Sequence, residues 1–119
     1  MNRARSSLAQ ARHRIGEIYL EDLCFVAQQA AEKAIKAVLL HSGVRFPYVH
    51  DLAELVTLME RAGHMPPARV RESSRLTRYA VETRYPGLSE PLTEEEYLEA
   101  LAIAEAVVRW ADELIRGQK

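Results

Sequence analysis

Residues 28–37 read Gln-Gln-Ala-Ala-Glu-Lys-Ala-Ile-Lys-Ala, and this stretch is the clearest indication that the chain is helical. It lies in a longer run whose small and apolar residues recur at spacings of four and three: Leu23, Ala27, Ala30, Ala34 and Ala37. Residues at those spacings share one face of an α-helix. They predict a long helix over about residues 19–41, with Gly43 as its C-terminal stop. The alanines let a neighbouring helix approach closely.

The two ends of the chain carry the same helical spacing. Near the start, a helix over about residues 2–14 is predicted from four apolar residues: Ala4, Leu8, Ala11 and Ile15. Thr93 and Glu96 have the pattern of a capping box, which predicts a final helix over about residues 94–116. The predicted buried seam of that helix comprises Tyr97, Leu101, Ala104, Val108, Ala111 and Ile115.

Two shorter helices are predicted between these segments. Asp51 resembles a helix N-cap with Glu54 as its reciprocal partner, and Gly63 ends the helix that follows. The buried face of this third helix should hold Leu52, Leu55, Val56 and Met59. One continuous fourth helix is predicted from near Pro67 to about Val81. Its inward residues should be Val70, Leu76 and Ala80.

These elements predict an all-α protein, an antiparallel up-and-down bundle of four to five helices. No segment shows the apolar–polar alternation of strands. The 119 residues, of which 48% are hydrophobic, are enough for a single domain over residues 1–119 with its own core. No apolar run reaches the ~18 residues of a membrane span, so we expect no membrane insertion and a cytoplasmic location. A formal net charge of −1 argues against a strong, uniform nucleic-acid binder and is compatible with a local basic patch.

The residue types give no support for a disulfide, a metal site or a Gly-rich phosphate loop. Cys24 is the single cysteine, so an intrachain disulfide is excluded, and its apolar surroundings predict a buried, inert thiol. The histidines show no metal-ligand spacing and no Gly-rich phosphate loop exists. We therefore predict no metal and no cofactor.

The polar residues of the second helix provide a first candidate site. Glu32 and Lys36 are one helical turn apart and can pair. Lys33 and Lys36, with Gln28 and Gln29 nearby, form either a solvated helix face or a surface that contacts phosphate or a partner protein. Both interpretations stay open.

A second candidate is the tripeptide Arg84-Tyr85-Pro86. A guanidinium beside an aromatic ring suits both phosphate and a nucleobase. Alternatively, Tyr85 packs on the bundle and Arg84 pairs with an acid. The preceding region is basic, with Arg69, Arg71, Arg75 and Arg78, whereas the last helix begins with acids. That polarity either steers a partner or pairs basic and acidic faces within a dimer.

A third candidate joins Arg45 and His50, five residues apart. An imidazole moves protons near neutral pH, and a guanidinium stabilises the charge that develops on a phosphate during cleavage. The alternative is that His50, which precedes a helix N-cap, has a packing or capping role. A chain this rich in arginine contains about one such spacing by chance.

Three blocks in fixed order resemble the HEPN family: residues 28–37, His50-Asp51-Leu52 and Arg84-Tyr85-Pro86. The resemblance implies a dimeric helical bundle associated with nucleotides or RNA. It also implies a minimal nucleotidyltransferase as partner, in some cases as a toxin–antitoxin pair. Under this resemblance, a nucleotide is expected near Arg84 and Tyr85, with Lys33 or Lys36 contributing.

Three functions stay open at this point. The preferred one is a homodimeric, nucleotide- or nucleic-acid-associated accessory domain that acts with a minimal nucleotidyltransferase. The first alternative is a metal-independent ribonuclease toxin that uses Arg45 and His50. Ribonuclease members of the family carry such a motif closer to the last helices, whereas no histidine follows His64 here. The second alternative is a structural dimer module without a ligand.

Overall fold

The computed structural model describes residues 1–13, 20–46, 51–81 and 92–117. Every regular element in those ranges is helical, which confirms the predicted all-α bundle. The elements in chain order are α1 (Asn2–Arg12), α2 (Leu20–His41), α3 (Leu52–Arg61), α4 (Ala68–Arg71), a 3₁₀ helix (Glu72–Thr77), α5 (Arg78–Val81) and α6 (Glu94–Ile115). None of these helices is long and apolar enough to cross a membrane.

Helix α2 is the centre of the bundle. It packs along α6 and α1 and also contacts α3, the 3₁₀ helix and α5. The predicted small-residue seam is completely buried at Ala27, Ala30 and Ala34. Ala37, predicted to continue that seam, is only half-buried because α1 leaves an open groove beside it.

Glycines end α2 and α3 in the same way. Gly43 has a φ of +74°, its N–H donates to the Leu40 carbonyl, and the Val44 N–H donates to the Leu39 carbonyl. Gly63 repeats this arrangement at the end of α3. Both ends are Schellman motifs, whose positive φ favours a residue without a Cβ. The predicted stops are confirmed.

Side chains cap the starts of α3 and α6. At α6 the Thr93 hydroxyl accepts from the Glu96 N–H at 3.1 Å, and the Glu96 carboxylate accepts from the Thr93 N–H at 2.9 Å. This is the predicted capping box. At α3, Asp51 is the N-cap as predicted, since its carboxylate accepts from the Ala53 N–H at 3.0 Å. The prediction for Glu54 was wrong: the α3 N-terminus has no capping box.

The fourth helical segment differs from its prediction as one continuous helix. Residues 68–81 form α4, the 3₁₀ helix and α5 in succession. Ser73, Ser74 and Thr77 fall in the 3₁₀ part, and such residues favour the α-helix weakly. The 3₁₀ path also brings the Thr77 hydroxyl to the Leu52 N–H, from which it accepts at 3.0 Å. That bond satisfies a backbone donor at the start of α3.

The buried faces were predicted well for α3 and less well for α6. All four predicted residues of α3 are buried, as are Val70 and Leu76 of the fourth segment. On α6, Leu101 and Ile115 are only half-buried, whereas Ile103 and Val107 are fully buried. The buried face is wider because α6 contacts both α2 and the fourth segment. Ile15 and the side chain of Ala80 lie outside the described residues.

Candidate functional site

The polar stretch of α2 contains a buried network. Glu32 is 4% exposed and Gln28 is fully buried. The Gln28 amide donates to one Glu32 carboxylate oxygen at 2.9 Å, and Lys36 Nζ donates to the other at 3.0 Å. A buried carboxylate is tolerated only when it is paired and hydrogen-bonded. Glu32 therefore belongs to the interior, contrary to the interpretation of this stretch as a solvated face.

Lys33 joins α2 to α1. Its Nζ donates to the hydroxyl of Ser7 at 2.9 Å, and Ser7 is itself buried. The ammonium group is thereby held at the junction of the two helices. The sequence contains a signal for Ser7 that sequence reasoning missed, because Ser7 lies one turn after Ala4 on the buried side of α1.

Both lysines line an open surface groove between α1 and α2. Arg3 borders the same groove, and Ala37 and Leu40 supply apolar surface. Among the described residues that line it, three are cationic and none is acidic. The Nζ atom of Lys36 also lies 5.8 Å from the centroid of the Phe46 ring. The structure thus brings Lys33 and Lys36 together and adds Arg3, which the sequence analysis did not single out.

The basic residues of the fourth segment are paired within the chain. Arg69 Nη1 lies 2.9 Å from a Glu72 carboxylate oxygen and 3.0 Å from one of Glu99. The hydrogen bonds to Glu99 and Glu72 raise the pKa of Arg69 above its ordinary value. Longer ion pairs join Arg75 to Glu99 and Arg78 to Glu96. The predicted basic and acidic regions therefore meet inside one chain and largely neutralise each other.

A second groove lies between this segment and the start of α6. Its lining mixes charges, with Arg75 and Arg78 on one side and Glu95, Glu96 and Glu99 on the other. The Arg78 guanidinium carbon lies 5.2 Å from the centroid of the Tyr79 ring. A guanidinium beside an aromatic ring is the arrangement that was predicted for Arg84 and Tyr85. The repeated Arg-Tyr dipeptide was the signal that could have found it.

The other candidate residues are placed in part. Arg45 is exposed just beyond the glycine that ends α2. His50, Arg84 and Tyr85 lie outside the described residues. The described residues include no group of three side chains that could hold a metal ion.

Cys24 is a buried residue of α2 and not part of any of these grooves. It is fully buried, as predicted. Burial, together with the negative charges of Glu96 and Glu21, raises the pKa of its thiol to about 12. The thiol is therefore protonated and unreactive at neutral pH in the folded chain.

Comparison with known proteins identifies the fold. The HEPN domain profile matches residues 1–114. The chain belongs to the HEPN family. A crystal structure of an archaeal HEPN homologue is similar to it, with a TM-score of 0.76 and 27% sequence identity over 96% of this chain and 93% of that chain. No curated protein matches.

HEPN membership confirms the family resemblance that the three sequence blocks indicated. It also supports, in general terms, a nucleic-acid-associated domain. The share of both chains that aligns means that the similarity includes the whole bundle and not one helical hairpin. The α1–α2 groove and the mixed-charge groove thus both lie within the HEPN domain.

Proposed function

We propose that this HEPN chain is a nucleotide- or nucleic-acid-associated accessory domain that acts with a minimal nucleotidyltransferase. The observation that carries the proposal is the HEPN match over residues 1–114. The domain works as a homodimer in the cytoplasm, in a pair of the toxin–antitoxin type. Arg84, Tyr85, Lys33 and Lys36 are its proposed nucleotide-binding residues.

The charge arrangement supports a binding role over a purely structural one. A module without a ligand has no need of several cations gathered in one surface groove. The described lining of the α1–α2 groove carries Arg3, Lys33 and Lys36 without an acid. Cationic side chains gathered in a groove raise the local concentration of anions such as nucleotides.

Calorimetric titration of the folded chain with nucleoside mono-, di- and triphosphates, and with short RNA, tests the binding role. We expect weak binding that Arg84→Ala reduces, because a charge-assisted contact is worth about 1.5–3 kcal/mol. Arg61→Ala, which removes an exposed arginine on α3, is the matched control and should bind as the wild type does. Absence of heat with every ligand would favour the structural module.

The partnership requires its own measurement. Where the neighbouring reading frame encodes a minimal nucleotidyltransferase, that protein co-expressed with this chain should co-elute with it in size-exclusion chromatography, at a mass above that of either protein. Separate elution at micromolar concentration of both proteins would contradict the partnership and leave the nucleotide-binding proposal intact.

The ribonuclease alternative makes an opposite prediction about activity. We expect the purified chain not to cleave RNA efficiently by itself, because His50 precedes the Asp51 cap and is assigned a packing or capping role. Structured and single-stranded RNA should be incubated with the wild type and with His50→Ala. Wild-type cleavage that is lost in a folded His50→Ala variant would replace the accessory function by a ribonuclease using Arg45 and His50. Cleavage that survives the substitution would indicate another site or a contaminant.

A further inference from the structure

Two polar grooves formed by the described residues differ in charge. The groove between the fourth segment and α6 contains two arginines among three glutamates, and Arg75 and Arg78 each lie within 4 Å of a carboxylate. The α1–α2 groove has three cationic side chains and no acid among its described lining residues. An anion entering the groove beside α6 would meet carboxylates, whereas an anion entering the α1–α2 groove would meet ammonium and guanidinium groups. The electrostatic comparison favours the α1–α2 groove as the anion site.

Lys33 is held in position for such a ligand. One N–H of its ammonium is used by the Ser7 hydroxyl at 2.9 Å, and an ammonium has three donors. Because Ser7 is buried, this bond fixes the long side chain at the edge of the groove and lowers the entropy that it would lose on binding. The remaining donors of Lys33 are available to a phosphate oxygen.

The three cations differ in what they can contribute. Lys36 is engaged with the buried carboxylate of Glu32, so its contribution to the groove is mainly the electric field of its charge. Arg3 is exposed at the first turn of α1, a turn that contains no acidic residue. Its guanidinium has the fork geometry that matches two oxygens of one phosphate. Arg3 and Lys33 are therefore the residues that would contact the ligand.

The groove also has apolar surface beside its charges. Ala37 is half-buried and Leu40 is 68% exposed, and both line the groove next to the lysines. Ligand sites commonly combine apolar walls with a small number of placed polar groups. A sugar or base attached to the phosphate could cover this surface, which a bare inorganic anion would leave exposed.

We infer that the α1–α2 groove is a phosphate-binding site, in which Arg3 and Lys33 contact the phosphate group of a nucleotide or of an RNA strand. The inference rests on the proposed function and deepens it, since it assigns the phosphate to this groove and not to the mixed-charge groove beside Arg78. Ser7 is a positioning residue that acts through Lys33. Lys36 adds positive charge while it compensates Glu32.

The test is a titration of the ¹⁵N-labelled chain, followed by NMR, with pyrophosphate, ATP and a single-stranded RNA oligonucleotide in separate arms. We expect the largest amide shift changes at Arg3, Lys33 and Ala37, with residues 75–79 unchanged. Binding should weaken as salt is raised, because phosphate contacts are electrostatic. The ATP and RNA arms show which source of phosphate is preferred.

Matched variants identify the contacts. Arg3→Ala and Lys33→Gln should each weaken binding about tenfold, the loss expected for one charge-assisted contact. Lys33→Gln keeps an N–H donor for Ser7 while it removes the charge. Arg61→Ala, which also removes an exposed arginine, should change affinity by less than twofold. If the Lys33→Gln variant does not fold, Arg3 provides the test by itself, because it is exposed. Its variants are then Arg3→Ala and the charge reversal Arg3→Glu.

The outcomes separate this inference from the proposed function. Nucleotide or RNA binding that is unaffected by Arg3→Ala and Arg3→Glu, or that shifts only residues 75–79, would overturn the groove assignment and leave the proposed function standing. A response of the groove to pyrophosphate but to neither ATP nor RNA would support a phosphate site and contradict the proposed function. No response to any of the three ligands would overturn both.

Discussion

Glu32 is the central acceptor of the buried hydrogen-bond network on α2. Its carboxylate is buried and receives hydrogen bonds from Gln28 and Lys36. A carboxylate in this position is costly without its partners, because desolvation of an ion exceeds the gain from a single contact. Lys36 consequently has a structural role in addition to its place beside the α1–α2 groove.

Replacing Lys36 by Met should therefore destabilise the bundle. We expect Lys36→Met to lower the free energy of unfolding by about 1–3 kcal/mol, the cost of leaving a buried polar group short of a partner. Urea denaturation followed by circular dichroism measures the change. The same substitution in a Glu32→Gln background should cost less, because no buried charge is then left uncompensated. Equal costs in the two backgrounds would mean that Lys36 stabilises by packing alone.

The Cys24 thiol should resist modification in the folded protein. Its pKa is raised to about 12, mainly by burial and also by the charges of Glu96 and Glu21, so at pH 8 the nucleophilic thiolate is almost absent. We expect a thiol reagent such as Ellman's reagent to react slowly in buffer and rapidly in urea. Rapid reaction of the native protein would show that α2 opens around Cys24.

The same raised pKa makes stability depend on alkaline pH. A thiol whose pKa is raised in the folded state keeps its proton at pH values where the thiol of the unfolded chain ionises, and that ionisation stabilises the unfolded chain. The stabilisation that burial of the neutral thiol permits is fully present below about pH 9 and is lost as the pH rises through 9 towards 12. Replacement of Cys24 by Ala should flatten this part of the pH profile.

At the scale of elements, the 3₁₀ helix contains a buried hydroxyl that its surroundings do not satisfy. Ser73 is fully buried, and its Oγ has no hydrogen-bond partner among the described residues. The neighbouring Ser74 is exposed. A buried polar atom without a partner costs about 1–3 kcal/mol.

We therefore expect Ser73→Ala to stabilise the protein by about 1 kcal/mol, because the substitution removes the unsatisfied hydroxyl and keeps the Cβ as a methyl group. Ser74→Ala is the control at the adjacent exposed position and should change stability by no more than about 0.5 kcal/mol. Thermal unfolding of the three proteins under identical conditions makes the comparison. A destabilised Ser73→Ala variant would show that the hydroxyl has a partner, and that this partner helps to hold the 3₁₀ path.

At the scale of the whole molecule, large apolar side chains remain at the surface of the single chain. Leu98 of α6 is 54% exposed, and Leu101 on the same helix is half-buried. Exposed apolar surface of this kind is commonly covered by association, most often in a two-fold symmetric dimer. The proposed homodimer would bury such surface.

We expect light scattering to give about twice the chain mass of 13.5 kDa at micromolar concentration. Leu98→Glu should shift the protein towards the monomer, because a charge would be buried at the contact. Met65, 81% exposed in the connection after α3, offers the control Met65→Glu, which should leave the mass unchanged. A wild-type chain that stays monomeric would contradict the homodimer.

Local sequence patterns were enough to predict the long helices and most of their ends. The Schellman glycines Gly43 and Gly63 and the capping box at Thr93 depend on residues within one or two turns of each other. The same holds for the buried stripes, because residues three and four apart share a helix face whatever the rest of the chain does. The family resemblance rested on blocks that could also be read along the chain.

Which polar residues of those helices are buried, and which of them contact each other, depends on how the helices pack together. Ser7 and Lys33 are 26 residues apart, and Leu52 and Thr77 are 25 apart, so no local pattern could predict either bond. Glu32 has the same spacing to Lys36 as a surface ion pair, and its burial follows from how the other helices pack against α2. Helical periodicity places a side chain on a face of its helix. The packing of helices distant in sequence decides what that face meets, and that packing formed the cationic groove at Arg3 and Lys33.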